Sequence, residues 1–518
     1  MKKQRGLMQS TALVSFNTML SRVLGFIRDV IIAQLFGASA GSDAFFVAFK
    51  LPNFMRGLFA EGSFSQAFVP VLSEYQTQSS AVEVKQFIDR MAGSLLVFLV
   101  PLTALVTLVS PLLIYVVAPG FAHDPYRFGL AAHMLRITFP YLLLISLTAL
   151  SGAILNTYGN YGIPAFTPVW LNISLIGCGL VLSQYLAVPV YALAWGVLIA
   201  GIIQLAFQLP FLVQVGLLPV PRPSFAHPGV KRVLKLMIPA LFGVSVSQLN
   251  LLLSTVFASL LKVGSVSWLY YADRLMNFPL GVFGVAISTV VLPYLSRNAA
   301  SDDHSSYRGT LHWGLRMLLV IGVPATVSLI VLSGPLIATL FYYRAFDSHD
   351  VLMTQQCLIA YALGVQAFML VKVLASAFYA KQNIRTPVKI AIIATVTNMA
   401  FNALLLVPLQ HIGLALASSI SAWVNALLLL GLLYKRQIYR FDMQMPKFAG
   451  RLVIANVILG GYLYWWAKEL TPWLHHGGVW RLTHLLIVVV SAVLLYAVTL
   501  LAIGMRKRDL TPSHYRIG

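Results

Sequence analysis

Fourteen runs of roughly 20 or more mostly apolar residues divide this 518-residue chain, and nothing constrains its fold more. They cover approximately 10–36, 42–72, 91–118, 130–156, 162–183, 189–214, 232–259, 266–295, 312–341, 353–379, 388–408, 412–434, 450–470 and 480–504. A backbone crossing hydrocarbon must satisfy its own N–H and C=O groups, and runs of this length do so as α-helices. With 59% hydrophobic and only 10% charged residues, little chain is left for a soluble domain. The expectation is an all-α polytopic membrane protein with 14 transmembrane helices. Met1-Lys2-Lys3-Gln4-Arg5 resembles the start of a signal peptide, but the run behind it is long and holds Arg22, Arg28 and Asp29. It reads as a retained first span.

An even number of spans puts both termini on one side, and the loop charges say which. With the N-terminus inside, inner segments hold 24 Lys/Arg and outer loops five: Arg127, Lys262, Arg344, Lys468 and Arg481. Excess Lys/Arg marks the cytoplasmic side, so both termini are expected there. The net charge of +21 therefore reflects topology. No basic run interleaved with aromatics appears, so nucleic acid is excluded as a partner. Cys178 and Cys357 both lie in apolar segments, and no disulfide is expected.

The chain also repeats. Gly41-Ser42 recurs as Gly264-Ser265, Pro70-Val71-Leu72-Ser73 as Pro293-Tyr294-Leu295-Ser296, Asn160 and Pro164 as Asn383 and Pro387, and Ala192-Leu193-Ala194 as Ala415-Leu416-Ala417. All are offset by 223 residues. Six spans separate the copies, so the repeat is parallel, as in transporters whose halves rock about a central site. The expected division is an N-lobe at 1–222, a C-lobe at 223–442, and two additional helices with a tail at 443–518.

Seven cations lie inside the spans: Arg22, Arg28, Lys50, Arg56, Arg136, Arg274 and Lys372. Only four carboxylates join them: Asp29, Asp43, Glu61 and Asp273. Facing lipid, these groups would cost on the order of 30 kcal/mol together. They are expected to line a polar cavity whose excess positive charge suits an anion. Arg28, Lys50 and Arg274 each lie about 12 Å below an outer helix end. Asp29 adjoins Arg28 and Asp273 adjoins Arg274, giving each arginine a local carboxylate. Ser267, Tyr270, Arg274, Asn277 and Gly281 form a polar stripe, as do Lys50, Asn53 and Arg56. Pro52 with Gly57, and Pro279 with Gly281 and Gly284, mark both helices as kinked or unwound. Arginine forks pair bidentately with phosphate oxygens while lysine acts as a point charge, so a pyrophosphate would engage several of these groups. Arg22 and Arg56 have a competing reading as structural partners of Asp43 or Glu61, and Arg136 and Lys372 as snorkelling side chains. Asp302-Asp303-His304 lacks a further ligand at metal-site spacing. No P-loop, HExxH, nucleophile elbow or paired CxxC occurs, so neither catalysis nor ATP hydrolysis is expected. No cofactor is expected, and energy would come from membrane potential or an ion gradient.

Three blocks carry a family resemblance: Leu20-Ser21-Arg22-Val23-Leu24-Gly25-Phe26-Ile27-Arg28-Asp29, Asp43-Ala44-Phe45-Phe46-Val47-Ala48-Phe49-Lys50-Leu51-Pro52-Asn53, and Phe59-Ala60-Glu61-Gly62-Ser63-Phe64-Ser65-Gln66-Ala67-Phe68-Val69-Pro70. They resemble the opening of the MurJ (MviN) lipid II flippases. Tyr270-Tyr271-Ala272-Asp273-Arg274-Leu275-Met276 and Lys381-Gln382-Asn383-Ile384-Arg385-Thr386-Pro387-Val388-Lys389 match later family segments. The resemblance implies the fourteen-helix fold of the MOP exporter superfamily. It also implies transport of undecaprenyl-pyrophosphoryl-disaccharide-pentapeptide across the bacterial inner membrane. It implies functional importance for Arg22, Arg28, Arg56 and Arg274 and for Asp29 and Asp43, and a groove in the last two helices for the lipid tail. Some relatives carry a glutamate where Asn277 sits. The combined reading is an alternating-access flippase, with Arg22, Arg28, Asp29, Asp43, Lys50, Arg56, Asp273 and Arg274 as substrate-binding residues. Its expected partners are lipid II and membrane lipids, and a monomer is expected. The runner-up is a flippase for another undecaprenyl-linked oligosaccharide such as an O-antigen unit. A cation-coupled multidrug exporter fits less well, because its cavity should be acidic.

Overall fold

The computed structural model describes residues 7–57, 63–301, 303–439 and 445–506. Glu61, Asp302 and the cations at 2, 3, 5, 440, 507, 508 and 516 lie outside the described residues. Every regular element among the described residues is helical. In chain order these are α1 (Leu7–Phe36), α2 (Ala40–Met55), α3 (Phe64–Gln78), α4 (Ala81–Leu108), α5 (Ser110–Val117), α6 (Pro125–Thr138), α7 (Tyr141–Thr157), α8 (Gly162–Leu180), α9 (Tyr191–Val215) and α10 (Pro228–Ser259). There follow α11 (Ser265–Pro279), α12 (Val285–Ala300), α13 (His304–Val331), α14 (Ser333–Phe341), α15 (Ser348–Tyr379), α16 (Arg385–Lys435), α17 (Met445–Ala467), α18 (Thr471–His475) and α19 (Gly478–Ala502).

Ten helices among the described residues are long and apolar enough to cross a membrane. One of them, α16, is broken at Gln410, whose φ of 49° and ψ of −128° interrupt the helix between the ranges expected for two spans. Helices α1, α2 with α3, and α10 occupy the ranges expected for the first, second and seventh spans.

The 223-residue offset is legible in the helix boundaries as well as in the residues. Ala81, which begins α4, matches His304, which begins α13; Pro125 of α6 matches Ser348 of α15; Gly162 of α8 matches Arg385 of α16. Caps repeat too. Ser80 caps α4 in a capping box with Glu83, and its counterpart Asp303 caps α13 through the Ser306 amide at 2.9 Å. Asp124 and Asp347, again 223 apart, cap α6 and α15. Each accepts from otherwise unsatisfied first-turn N–H groups. Asp303 also takes the hydroxyls of Ser305 and Ser306, which holds its carboxyl down at about 2. The acid run at 302–304 thus contributes a helix cap.

The helices gather into two compact units, Met1–Ser267 and Trp268–Gly518. In the first, α1 packs on α8, α7 and α8 on α9, and α2 on α6. Phe64, Phe68, Phe87, Met91, Ile154, Leu212 and Val233 join α3, α4, α7, α9 and α10 in one buried cluster. Helix α10, which opens the second sequence copy, packs on α3 and α4 and so belongs to this unit. In the second unit α15 packs on α13 and α16, and α17 packs on α13 and α19. Leu459, Leu463, Val488 and Ala492 form the seam between α17 and α19. The opposite side of α19 leaves Leu486, Val490, Val493 and Leu494 exposed, as a lipid-facing surface requires.

Candidate functional site

Arg28 sits deep in α1, where nothing apolar can satisfy a guanidinium. Its Nε and Nη2 donate to Asp29 Oδ1 at 2.9 and 2.6 Å, and its Nη1 to Asn172 Oδ1 of α8 at 3.1 Å. The Asn172 amide turns back to donate to the Ser21 carbonyl at 3.0 Å. Sequential helical residues point about 100° apart, yet the long arginine side chain folds across that angle onto its neighbour. Asp29 is fully buried while Arg28 keeps 13% of its side chain exposed. The cluster is an oriented cation with its carboxylate behind it. Asn172 was not singled out from sequence; its only sequence signal is an amide inside an apolar run.

At the C-terminal end of α2, Arg56 donates through Nε and Nη2 to Asn53 Oδ1 at 3.1 and 2.7 Å. The i, i+3 spacing read from sequence is thus a direct contact. Lys50 is half-buried one turn before Asn53, and Arg22 on α1 is exposed. The helix gives way to a π turn at Arg56 and Gly57. Its counterpart 223 residues on is the π turn at Leu280–Gly284, which follows Pro279. Both breaks fall where proline and glycine mark them.

Asp43 is fully buried near the start of α2 and meets a different set of partners from those expected. Oδ2 accepts from the Gly264 amide at 2.7 Å; Oδ1 accepts from the Ser267 amide at 2.9 Å and its hydroxyl at 2.6 Å. Its nearest cation is Arg127, with Nη1 at 3.8 Å, in place of Arg22 or Arg56. Arg127, counted from sequence as a loop charge, is buried. It pairs with Asp124 at 2.9 Å, lies 4.6 Å from the Phe121 ring centroid, and donates to the Leu261 carbonyl at 3.5 Å. The signal for this was the Asp124-Pro125-Tyr126-Arg127 spacing, a helix cap with a cation one turn on. In the second unit the matching position is Asp350, which accepts from Trp268 Nε1 at 2.8 Å.

Asp273 and Arg274 are half-buried on α11 in the second unit. Asn277 donates from Nδ2 to the Asp273 carbonyl at 2.9 Å, and so holds the backbone ahead of the π turn. Arg28, Asp29, Asp43, Lys50 and Arg56 belong to the first unit, and Asp273 and Arg274 to the second. Arg136 is exposed and donates to Ser110 Oγ at 2.9 Å, while Lys372 is exposed. Cys178 and Cys357 are both free thiols.

Long apolar helices with oriented cations, internally duplicated, define a polytopic membrane transporter. Residues 32–498 match the family model described as lipid II flippase MurJ. The chain is 44% identical to a probable lipid II flippase MurJ of Haemophilus influenzae, over 95% of this chain and 99% of that one. It is 43% identical to the lipid II flippase MurJ of Burkholderia cenocepacia, covering 88% and 89% of the two chains. Among solved structures, a lipid II flippase MurJ in an inward closed conformation superimposes with a TM-score of 0.79 at 29% identity, over 94% of this chain and 98% of that one. An inward-facing MATE-family multidrug transporter of the MOP superfamily shares the fold, with a TM-score of 0.65 at 16% identity, over 82% of this chain and 97% of that one. The chain belongs to the lipid II flippase MurJ family.

Proposed function

We propose that this chain moves lipid II from the cytoplasmic to the periplasmic leaflet of the bacterial inner membrane by alternating access. Family membership supports the substrate. The single structural observation that carries the chemistry is Arg28, a partly exposed guanidinium deep in an apolar helix with Asp29 and Asn172 fixing its direction. A cation oriented in advance pays little ordering entropy when it meets a pyrophosphate. Arg22, Lys50, Arg56 and Arg274 supply further positive charge; Asp29 backs Arg28, Asp273 adjoins Arg274 in sequence, and Asp43 acts from the start of α2 through Gly264, Ser267 and Arg127. The prenyl chain would remain in lipid throughout.

The same proposal takes fourteen crossings, repeat lobes at 1–222 and 223–442, cytoplasmic termini and a monomer. It takes no cofactor and draws energy from membrane potential or an ion gradient. The test is translocation in proteoliposomes containing only this protein. Lipid II should cross, undecaprenyl-linked O-antigen units should not, and Arg28→Ala should abolish crossing. Equal rates for both lipids would favour a general undecaprenyl-oligosaccharide flippase, and no crossing of either would overturn the proposal.

A further inference from the structure

The second unit carries a basic cleft among the residues joining its helices at the side read as cytoplasmic. Its volume is about 240 Å³, and His304, Tyr307, Arg308, Lys381, Arg436 and Gln437 line it. A larger recess of about 470 Å³ shares His304, Tyr307 and Lys381. Arg308 is held by the Gln437 carbonyl, to which Nη2 donates at 3.1 Å. Lys381 Nζ sits 5.1 Å from the Tyr307 ring centroid, and the Arg436 guanidinium 5.8 Å from that of Phe378. Among the described residues, none of these three cations pairs with a carboxylate. Asp303, adjacent in sequence, is engaged by Ser305 and Ser306.

Excess Lys/Arg at a cytoplasmic face needs no ligand to explain it, so two further observations matter. The first is the internal duplicate. Positions 223 residues earlier are Ala81, Val84, Lys85, Tyr158 and Val213 in place of His304, Tyr307, Arg308, Lys381 and Arg436. The fold therefore stands with one cation there, and that one, Lys85, is paired with Asp89. Three further basic side chains belong to the second copy alone. The second observation is backbone strain. Gln382 and Gln437 follow Lys381 and Arg436 directly, and both adopt left-handed φ, 56° and 54°. The position matching Gln382 is Gly159, with φ 82°, where that conformation costs nothing. A glutamine there is disfavoured by roughly 1–2 kcal/mol. Both residues close their helices, with Asn383 N donating to the Phe378 carbonyl and Ile438 N to the Leu433 carbonyl at 3.0 Å each, so the second copy keeps glutamine at a capping position where glycine would be free of that cost.

We propose that this cleft binds a phosphate group through Arg308, Lys381 and Arg436, carried by an anionic phospholipid headgroup or by a soluble phosphate compound. An arginine fork, an ammonium and a second guanidinium with no acid among them match a phosphate dianion or diester. The site is separate from the intramembrane arginines and does not depend on what they carry.

The test uses the full-length chain in neutral detergent, with native mass spectrometry against equimolar phosphatidylglycerol and phosphatidylcholine, and equilibrium binding of glycerol 3-phosphate. Wild type should prefer the anionic lipid, or bind the soluble phosphate, by about tenfold over the Lys381→Gln/Arg436→Gln variant. Lys468→Gln/Arg344→Gln, which removes the same charge from the opposite side, should match wild type. Preference for lipid alone assigns the headgroup, and binding of glycerol 3-phosphate alone assigns a soluble ligand. Lys381→Arg/Arg436→Lys keeps the charge and should keep binding if the neutral variant fails to fold. Equal losses in the cleft variant and the opposite-side variant, or none in either, would overturn the site.

Discussion

The sequence pairs Arg28 with Asp29 by adjacency, and the structure adds Asn172 as the group that fixes the pair. If Asn172 only orients Arg28, Asn172→Ala should leave the cation present but free to rotate. Translocation in proteoliposomes should then fall by about one order of magnitude, as loss of a positioning hydrogen bond to a charged group implies. Arg28→Ala should abolish it. An Asn172→Ala variant with wild-type rate would remove the amide from the site. Asp43 differs in kind, because its carboxylate serves three donors at the start of α11. Asp43→Ala leaves buried N–H groups unsatisfied at about 1–3 kcal/mol each. Its melting midpoint in detergent should drop by several degrees, whereas Asn172→Ala should melt near wild type. The partner Arg127 was hidden from sequence because a short polar loop reads as solvated. Only folding shows that Leu261 and Phe121 close over it.

At the scale of elements, the segment between α9 and α10 shows how a loop becomes part of the core. Val220 N donates to Asp89 Oδ1 at 2.7 Å, Arg222 N to the Asp89 carbonyl at 3.1 Å, and Ser224 N to Ser94 Oγ at 3.3 Å. This approach requires Gly93, since a Cβ there would lie 2.4 Å from the Arg222 backbone. Gly93→Ala should therefore release the segment and cost about 2 kcal/mol or more, read as faster proteolysis between 216 and 227. The same segment ends at His227, stacked on Phe87 with centroids 5.9 Å apart. Burial first, and Arg90 second, push the His227 pKa below its ordinary 6.5. The unfolded chain thus binds the proton more readily. Stability is full above about pH 6.5 and is lost as pH falls through the lowered value. Replacing His227 with Phe should flatten that acid limb of the melting-midpoint profile, and an unchanged limb would assign it to another group. Sequence reading sees in residues 215–231 only the gap between two apolar runs, because hydropathy carries no sign of backbone docking against a glycine. It did locate the π turns at 56–57 and 280–284, because proline and glycine disrupt a helix by local sterics alone.

At the scale of the whole chain, the apolar runs made the all-helical fold legible, since each helix in a bilayer is specified by its own residues. The boundary expected between 408 and 412 coincides with the break at Gln410 inside α16, two residues after Pro408. The duplication was visible in a few residue matches and recurs in the helix starts and caps. It also allows a test of orientation. Two of the five cations read as outer are engaged locally: Arg127 pairs with Asp124, and Arg481 donates to the carbonyls of Ala338, Tyr342 and His476. If the copies are parallel, any two positions 223 residues apart must face the same compartment. Ala122 and Ala345 form one such exposed pair, and Val82 and Ser305 another. With Cys178 and Cys357 replaced by alanine, a cysteine at Ala122 or Ala345 should react with an impermeant maleimide added outside intact cells. A cysteine at Val82 or Ser305 should react only after permeabilisation. Opposite labelling within either pair would mean an odd number of crossings between the copies, and so an inverted repeat. Uniform reversal of both pairs would preserve the parallel repeat but place the termini outside, and the proposed direction of lipid transport would reverse with them.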